Sequence, residues 1–242
     1  MIPKKIHYVW FSEEMPLKIQ SYIEGWRKHC PDYEIVRWNA DNFDVSKHKW
    51  VEQAVNCKKW AFATDYIRFW VVYNYGGIYL DSDVEILRPF GDELMNLPYF
   101  LGMEKTKGIV EGAVFGAEAN TAWVKNCLDY YENKDFGTLA LPYIMLNIFK
   151  KKYGMSLIDS PQNFDRNSGK IQILPPKYFS PKRWNEPYAK VYECTTAIHH
   201  FAGTWSNAKN SFVRVVKNKI IDFVGDDFYI RKMFRVFAGG SG

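Results

Sequence analysis

The sequence lacks any apolar run near the ~20 residues that a membrane-spanning helix needs, and its longest, such as Phe69 to Leu80, stop well short. No spanning segment is expected. Cysteine is scarce: Cys30, Cys57, Cys127 and Cys194 are far apart, with no C-x-x-C pair and no local metal spacing. That excludes a disulfide scaffold and fits small buried hydrophobes in a reduced, cytoplasmic compartment. Only 16 Gly and 11 Pro exclude a low-complexity chain. Met1-Ile2-Pro3-Lys4-Lys5 has the basic start of a signal peptide but not the apolar stretch that should follow. What is present is 242 residues, 47% apolar and 24% charged with the signs well mixed, enough for one large α/β domain without staples. Of the net charge of +5, most lies late, with seven Lys or Arg against three Asp from Lys209 to Ala238.

Periodicity organises the chain. Ile6 to Phe11 is apolar on both alternating faces, as a central strand would be. Leu17, Ile19, Tyr22, Ile23 and Trp26 follow helical spacing, and Tyr33 to Trp38 reads as a second strand. Val45–Cys57 and Trp60–Tyr75 read as helices, the second stopped by Gly76-Gly77 in a left-handed turn. Ile78-Tyr79-Leu80 is a short buried strand running into Asp81-Ser82-Asp83. Further on, 99–103 and 110–117 read as strands and 119–131 and 139–152 as helices. Residues 159–190, rich in Pro, Asn and Ser, are expected to be long loops. Ala197–Phe201 is a late strand, and Phe212–Phe237 a basic, aromatic helical stretch. Gly239-Gly240-Ser241-Gly242 reads as an appended linker.

The chemistry concentrates at Asp81 and Asp83. Strand alternation puts both carboxylates on one face, with Ser82 on the other. Ligands of open α/β sheets bind beyond the carboxyl ends of strands. Two like charges so close repel unless a cation or proton lies between them. Oxygen ligands of this kind suit Mg2+ or Mn2+ bridging to phosphates. A solvated Asp-rich turn is the alternative for a bare D-x-D. Asp65 and Arg68, three apart on a helix crowded with aromatic residues, share a face and can pair. If buried they need partners, and a polyhydroxyl ligand would supply them.

Three blocks in order, Ile2-Pro3-Lys4-Lys5-Ile6-His7-Tyr8-Val9-Trp10, Trp60-x-x-Ala63-x-Asp65-x-x-Arg68 and Tyr75-Gly76-Gly77-Ile78-Tyr79-Leu80-Asp81-Ser82-Asp83, closely resemble glycosyltransferase family 32. That family holds D-x-D sugar transferases of bacterial capsule and lipopolysaccharide clusters and yeast mannosyltransferases, and the large clostridial toxins carry a related domain. The resemblance covers roughly residues 1 to 100, with an echo at 197–206. It implies a GT-A fold with a mixed central sheet and flanking helices, and one domain over 1–238. Its nucleotide-binding half would span about 1–100 and its acceptor half about 101–210, with basic helices at 211–238. It further implies a retaining, metal-dependent transferase acting on a nucleotide sugar.

Carried over, Asp83 would ligate Mn2+ or Mg2+, while Asp81 would contact the ribose and the metal's waters. Asp65 and Arg68 would hold the donor sugar's hydroxyls. Trp10 would lie near the base unless it is a core residue, with Tyr79 and Ser82 beside the nucleotide. His199 to Ser206 resembles a late H-x-x-G-x-W loop that closes over the diphosphate. Alternation would point His199 and His200 to opposite faces, and His200 is taken as the one completing the metal shell. Trp205 and Ser206 are lid contacts. Where family members often carry Asn after the D-x-D, this chain reads Glu111-Gly112-Ala113, a departure on the acceptor side.

The expected partners are a nucleotide-sugar donor, a UDP-sugar in preference to a GDP-sugar, and a saccharide or lipid-linked saccharide acceptor. Nucleic acid is not expected, since the basic tail carries no recognisable motif. That tail reads either as an amphipathic helix covering the core or as a peripheral contact with the inner face of the plasma membrane. A non-catalytic carbohydrate- or nucleotide-binding domain is the rival function; aromatic residues at 17% would support stacking but leave the acidic pair unexplained. A glycoside hydrolase fits worse, because its carboxyls stand ~5–9 Å apart and flank the sugar.

Overall fold

The computed structural model describes residues 1–105, 109–132 and 134–203. The chain divides into two compact units, Met1–Ala202 and Gly203–Gly242. Every described strand and helix belongs to the first. Trp205, Ser206 and the basic stretch 212–237 lie outside the described residues.

Strand β1 (Lys5–Val9), helix α1 (Leu17–His29) and strand β2 (Glu34–Trp38) form the expected strand–helix–strand unit. Its strands are parallel, Lys5 facing Glu34 and Val9 facing Trp38. The helix expected over Val45–Cys57 is in fact two pieces. Asp44 accepts the Ser46 N–H to cap a 3-10 turn at Val45–Lys47, and His48 is extended before α2 (Lys49–Asn56) begins. Helix α3 (Trp60–Tyr75) has the expected bounds. Gly76 stops it at φ 63° and ψ −175°, a region that only glycine occupies readily, rather than in the left-handed helical turn anticipated. A Cβ there would lie 2.8 Å from the Ala119 nitrogen.

Beyond it come β3 (Gly77–Leu80), β4 (Val84–Ile86), a short helix α4 (Asp92–Met95), β5 (Tyr99–Met103) and β6 (Val110–Ala117). The remaining elements are α5 (Ala122–Glu132), α6 (Leu141–Lys152), β7 (Met155–Leu157), β8 (Ile171–Ile173) and β9 (Ala197–His199). The stretch 159–190 is largely irregular, as expected, but contains a 3-10 turn and β8.

The central sheet has the order β2-β1-β3-β6-β5. Its first three strands are parallel, whereas β6 runs antiparallel to both β3 and β5. This is the mixed sheet with flanking helices that the sequence implies. Period-two alternation along β3 sends Tyr79 into one apolar cluster with Ile67, Phe69, Phe115 and Trp123, and sends Ile78 and Leu80 into another with Ile6, Trp26 and Phe100. Each large side chain so buried contributes roughly 1.5–3 kcal/mol of transfer free energy. Trp26 also donates Nε1–H to the Val84 carbonyl at 2.7 Å, tying α1 to β4. Strand β4 then pairs antiparallel with β9, Val84 opposite His199. That small ladder brings the late histidine strand beside the segment that follows β3. Among the described residues, no helix is long and apolar enough to cross a membrane.

Candidate functional site

At the carboxyl end of β3 the backbone turns. The Val84 N–H donates to the Asp81 carbonyl at 3.0 Å, so Asp81-Ser82-Asp83 lies in a tight turn rather than on a continued strand. The two carboxylates therefore meet through the turn and not through strand alternation. Asp81 is anchored from the sheet, its N–H donating to the Ala113 carbonyl at 2.9 Å. One oxygen each of Asp81 and Asp83 and a ring nitrogen of His199 lie within 4.8 Å of one another.

The histidine expectation needs correction. It is His199 whose Nε2 stands 3.5 Å from Asp83 Oδ1, while its Nδ1 stands 3.4 Å from the Glu111 carboxylate. His200 turns the opposite way. Its ring stacks on Tyr22 with centroids 4.8 Å apart, and its Nε2 lies 2.8 Å from Glu85. The anticipated divergence of the two rings is correct; the face is fixed by the register of β9 against β4, which sequence alternation alone does not supply. Beyond β9 the chain bends at Phe201, φ 53°, whose ring lies 3.9 Å from that of His199. The Ala202 N–H then donates to Asp83 Oδ2 at 2.7 Å, so the loop after the histidines grips the acidic turn.

Helix α3 supplies the floor. Asp65 and Arg68 are 7% and 5% exposed, and Arg68 Nη2 lies 3.0 Å from Asp65 and 3.3 Å from Asp81. Its Nη1 donates to the Gly112 carbonyl at 2.7 Å, whereas its Nε has no partner. Arg68 thus braces two carboxylates and strand β6 from beneath. Burial pushes the Asp65 carboxyl up to about 7; Arg68 opposes this, and the charge of Asp81 adds to it. Burial also raises Asp81, against the pull of Arg68 and with Asp83 adding to the rise. For Arg68 burial acts against the charge, but Asp81, Tyr79 and Asp65 more than restore it. Burial likewise disfavours a charged His199, yet Glu111, Asp83 and Asp81 carry it up to about 10.

Tyr79 also departs from expectation. It is completely buried, and its hydroxyl donates to Asp81 Oδ1 at 2.9 Å with the Arg68 guanidinium 4.8 Å over its ring. It meets the acidic turn through Asp81 and Arg68. Trp10 follows β1, donates Nε1–H to the Glu14 carbonyl at 3.1 Å and packs on the α1-side cluster while remaining part-exposed. Ser82 is part-exposed at the tip of the turn.

Two residues of the site are not assigned to it by the sequence reading, which meets Glu111 only as an acceptor-side departure. Glu111 is 1% exposed on the central strand β6, and the surrounding run Val110-Glu111-Gly112-Ala113-Val114-Phe115 held the signal: a carboxylate inside an apolar strand needs a partner. Glu104, at the end of β5, is raised to about 8 by burial and by the charge of Glu111. A separate cavity of about 440 Å³, lined by His48, Trp50, Tyr66, Trp70 and neighbours, shares no residue with this acidic cluster.

The donor set of two carboxylates and one imidazole, with a further carboxylate behind the imidazole, fits a hard divalent cation. The same segment carries the similarity to known proteins. Residues 16–101 match the family described as the glycosyltransferase sugar-binding region containing the DXD motif. The family-32 resemblance is borne out on that stretch, which holds two of the three sequence blocks, Trp60 to Arg68 and Tyr75 to Asp83.

The inositol phosphoceramide mannosyltransferase 2 of Schizosaccharomyces pombe is 26% identical over 237 residues, covering 89% of this chain and 64% of that protein. An uncharacterized glycosyltransferase of Acanthamoeba polyphaga mimivirus is 23% identical, covering 93% of this chain and 92% of its own. Four fungal relatives named for mannosyl transfer to, or synthesis of, inositol-containing ceramides are spanned over 42% to 64% of their lengths. Among solved structures, the PaToxG glycosyltransferase aligns with a TM-score of 0.48 at 18% identity, over 62% of this chain and 68% of that one. The D-x-D sequence Asp81-Ser82-Asp83, and with it the acidic turn, lies within the matched residues.

Proposed function

We propose that the chain is a metal-dependent, retaining glycosyltransferase of GT-A type that moves a hexose from a nucleotide sugar, a UDP-sugar first, to a saccharide or lipid-linked saccharide. One observation carries this reading: the DXD carboxylates and His199 converge at the carboxyl end of β3, directly above the buried Asp65–Arg68 pair. The relatives named for transfer to ceramide lipids favour a lipid-linked acceptor, within which a surface polysaccharide or lipopolysaccharide precursor is the bacterial form. We take 1–238 as one catalytic domain at the cytoplasmic face of a membrane. Contact through 212–237 rests on the sequence alone.

Asp81, Asp83 and His199 would hold the Mn2+ or Mg2+ ion. When bound, that ion neutralises charge building on the departing diphosphate. Asp65, with its carboxyl near neutrality, can accept from or donate to a sugar hydroxyl. Arg68 keeps the Asp65 and Asp81 carboxylates fixed and lowers the cost of their burial. Glu111 is engaged by His199 and by the Ala113 N–H at 2.8 Å, which speaks against it as a double-displacement nucleophile. Front-face attack follows: the acceptor hydroxyl oxygen bonds the anomeric carbon as the carbon–phosphate oxygen bond breaks, and its proton passes to that phosphate oxygen.

The test is the melting temperature of the full chain with UDP or GDP, with and without Mn2+, for wild type and Asp83→Ala. A ligand at 100 times its Kd adds about 2.7 kcal/mol, a clear shift. A shift that needs nucleotide, Mn2+ and Asp83 together is expected, and larger with UDP. No shift with either nucleotide would replace transfer by a carbohydrate-binding role.

A further inference from the structure

Glu111 is a buried carboxylate that the transfer chemistry does not use. It is 1% exposed on the central strand β6, where an unpaired charge costs several kcal/mol. Its contacts define what it does instead. One oxygen accepts the Ala113 N–H at 2.8 Å, which pins the carboxylate to its own strand. Both oxygens lie 3.4 Å from His199 Nδ1. The other ring nitrogen, Nε2, is the one that lies 3.5 Å from Asp83. The order is therefore Glu111, Nδ1, ring, Nε2, acidic turn.

From this juxtaposition we infer that Glu111 is the positioning residue of the cation site: it accepts the Nδ1–H of His199 in a hydrogen bond and so turns Nε2 toward the space shared with Asp81 and Asp83. An imidazole that binds a metal through one nitrogen usually donates from the other to a carboxylate, which fixes tautomer and ring plane and raises ligand basicity. The Phe201 ring, 3.9 Å from His199, closes one face of the imidazole, so orientation is set by an edge contact and a face contact together. Phe201 holds φ 53°, a conformation unusual for a bulky residue, to reach that place. The inference rests on the proposed cation site and adds to it the residue that makes His199 a ligand.

The test is Mn2+ affinity of the nucleotide-free full chain, read from the electron paramagnetic resonance of free Mn2+, for wild type, Glu111→Gln and Asp83→Ala. Glu111→Gln keeps the shape and an acceptor for the Ala113 N–H but loses the charge that faces Nδ1. Its Mn2+ Kd is expected to rise 10- to 100-fold while Asp83→Ala loses binding. Mn2+ binding lost in Asp83→Ala but unchanged in Glu111→Gln would overturn the inference and leave the cation site standing. Equal Mn2+ behaviour of wild type and Asp83→Ala would remove the site and the inference with it. A readout free of any Glu111 variant is the imidazole of His199 in Mg2+-loaded wild type, assigned by its loss in His199→Asn. A hydrogen-bonded Nδ1 proton that exchanges slowly by NMR is expected, and a ring protonated at Nε2 instead would refute the assignment.

Discussion

The two ends of β3 are built from opposite chemistry. At the Gly77 end, His7 is 1% exposed and fully satisfied: Nδ1 accepts from Trp38 Nε1 at 3.2 Å, and Nε2–H donates to the Gly76 carbonyl at 2.9 Å. The rings of Trp38 and Tyr75 enclose it, and burial lowers it to about 4. At the Leu80 end, Asp65, Asp81, Asp83 and Glu111 surround one permanent cation, Arg68, and one histidine, His199, driven the other way to about 10. One buried histidine is neutral because its neighbours are satisfied dipoles, the other charged because its neighbours are carboxylates. A structural cluster closes its own accounts of donors and acceptors, whereas the acidic end keeps more negative charge than its partners offset. That surplus is what the proposed cation would offset.

The largest expected effect comes from removing Arg68, the cation in contact with both Asp65 and Asp81. Arg68→Met leaves Asp65 and Asp81 buried without their common partner and should cost about 3–5 kcal/mol of stability, read by urea unfolding. Arg68→Lys should recover little, since one ammonium cannot meet Asp65, Asp81 and the Gly112 carbonyl with a planar fork's geometry. A loss below about 1 kcal/mol for Arg68→Met would mean that the acidic end is wet and the comparison is false. Next comes Asp83→Ala. It should lower transfer by about 10²–10³-fold, or about 3–4 kcal/mol of transition-state stabilisation, because it removes a cation ligand. Without metal its melting temperature should fall modestly, because the Ala202 N–H loses its Asp83 acceptor. Near-normal transfer in a folded Asp83→Ala chain would sink the metal assignment.

How much of this was legible depends on what each feature answers to. Helix α3 carries its own stop and its own pattern, so Trp60–Tyr75 was read to the residue, as were β5 and β6. The strands β4 and β7 are three residues each and exist through their pairing with β9 and β8, a long-range fact with no local period. The same limit explains the histidines: alternation separates His199 from His200, but only the opposition of Val84 to His199 decides which one meets Asp83. Tyr79 could have been placed better, since it lies two residues before Asp81 on a strand buried at all four positions, hence beneath the carboxylate. Glu111 was noticed as a departure from the family pattern, yet its isolation in an apolar strand was the stronger clue. It pointed to a buried partner.

The contrast between the two ends is sharpest in pH. His7 has a native pKa of about 4 against 6.5 unfolded, so between those values the unfolded chain binds a proton that the native chain refuses. Stability is full above pH 6.5 and falls as pH drops towards 4, by about 3 kcal/mol at most. Asp65 works against this. Its native value of about 7 lies above the ordinary 3.8, so the native chain holds the extra proton and gains stability as pH falls through the same window. The two ends of one strand thus pull the acid limb in opposite directions, and the wild-type slope is the residue of both. Subtraction separates them: urea stability of His7→Gln, measured from pH 7 to 4, should show a flatter loss or a gain on acidification, whereas Asp65→Asn should steepen the loss. Identical slopes in all three proteins would show that neither histidine burial at one end nor carboxylate burial at the other is what sets the ends apart.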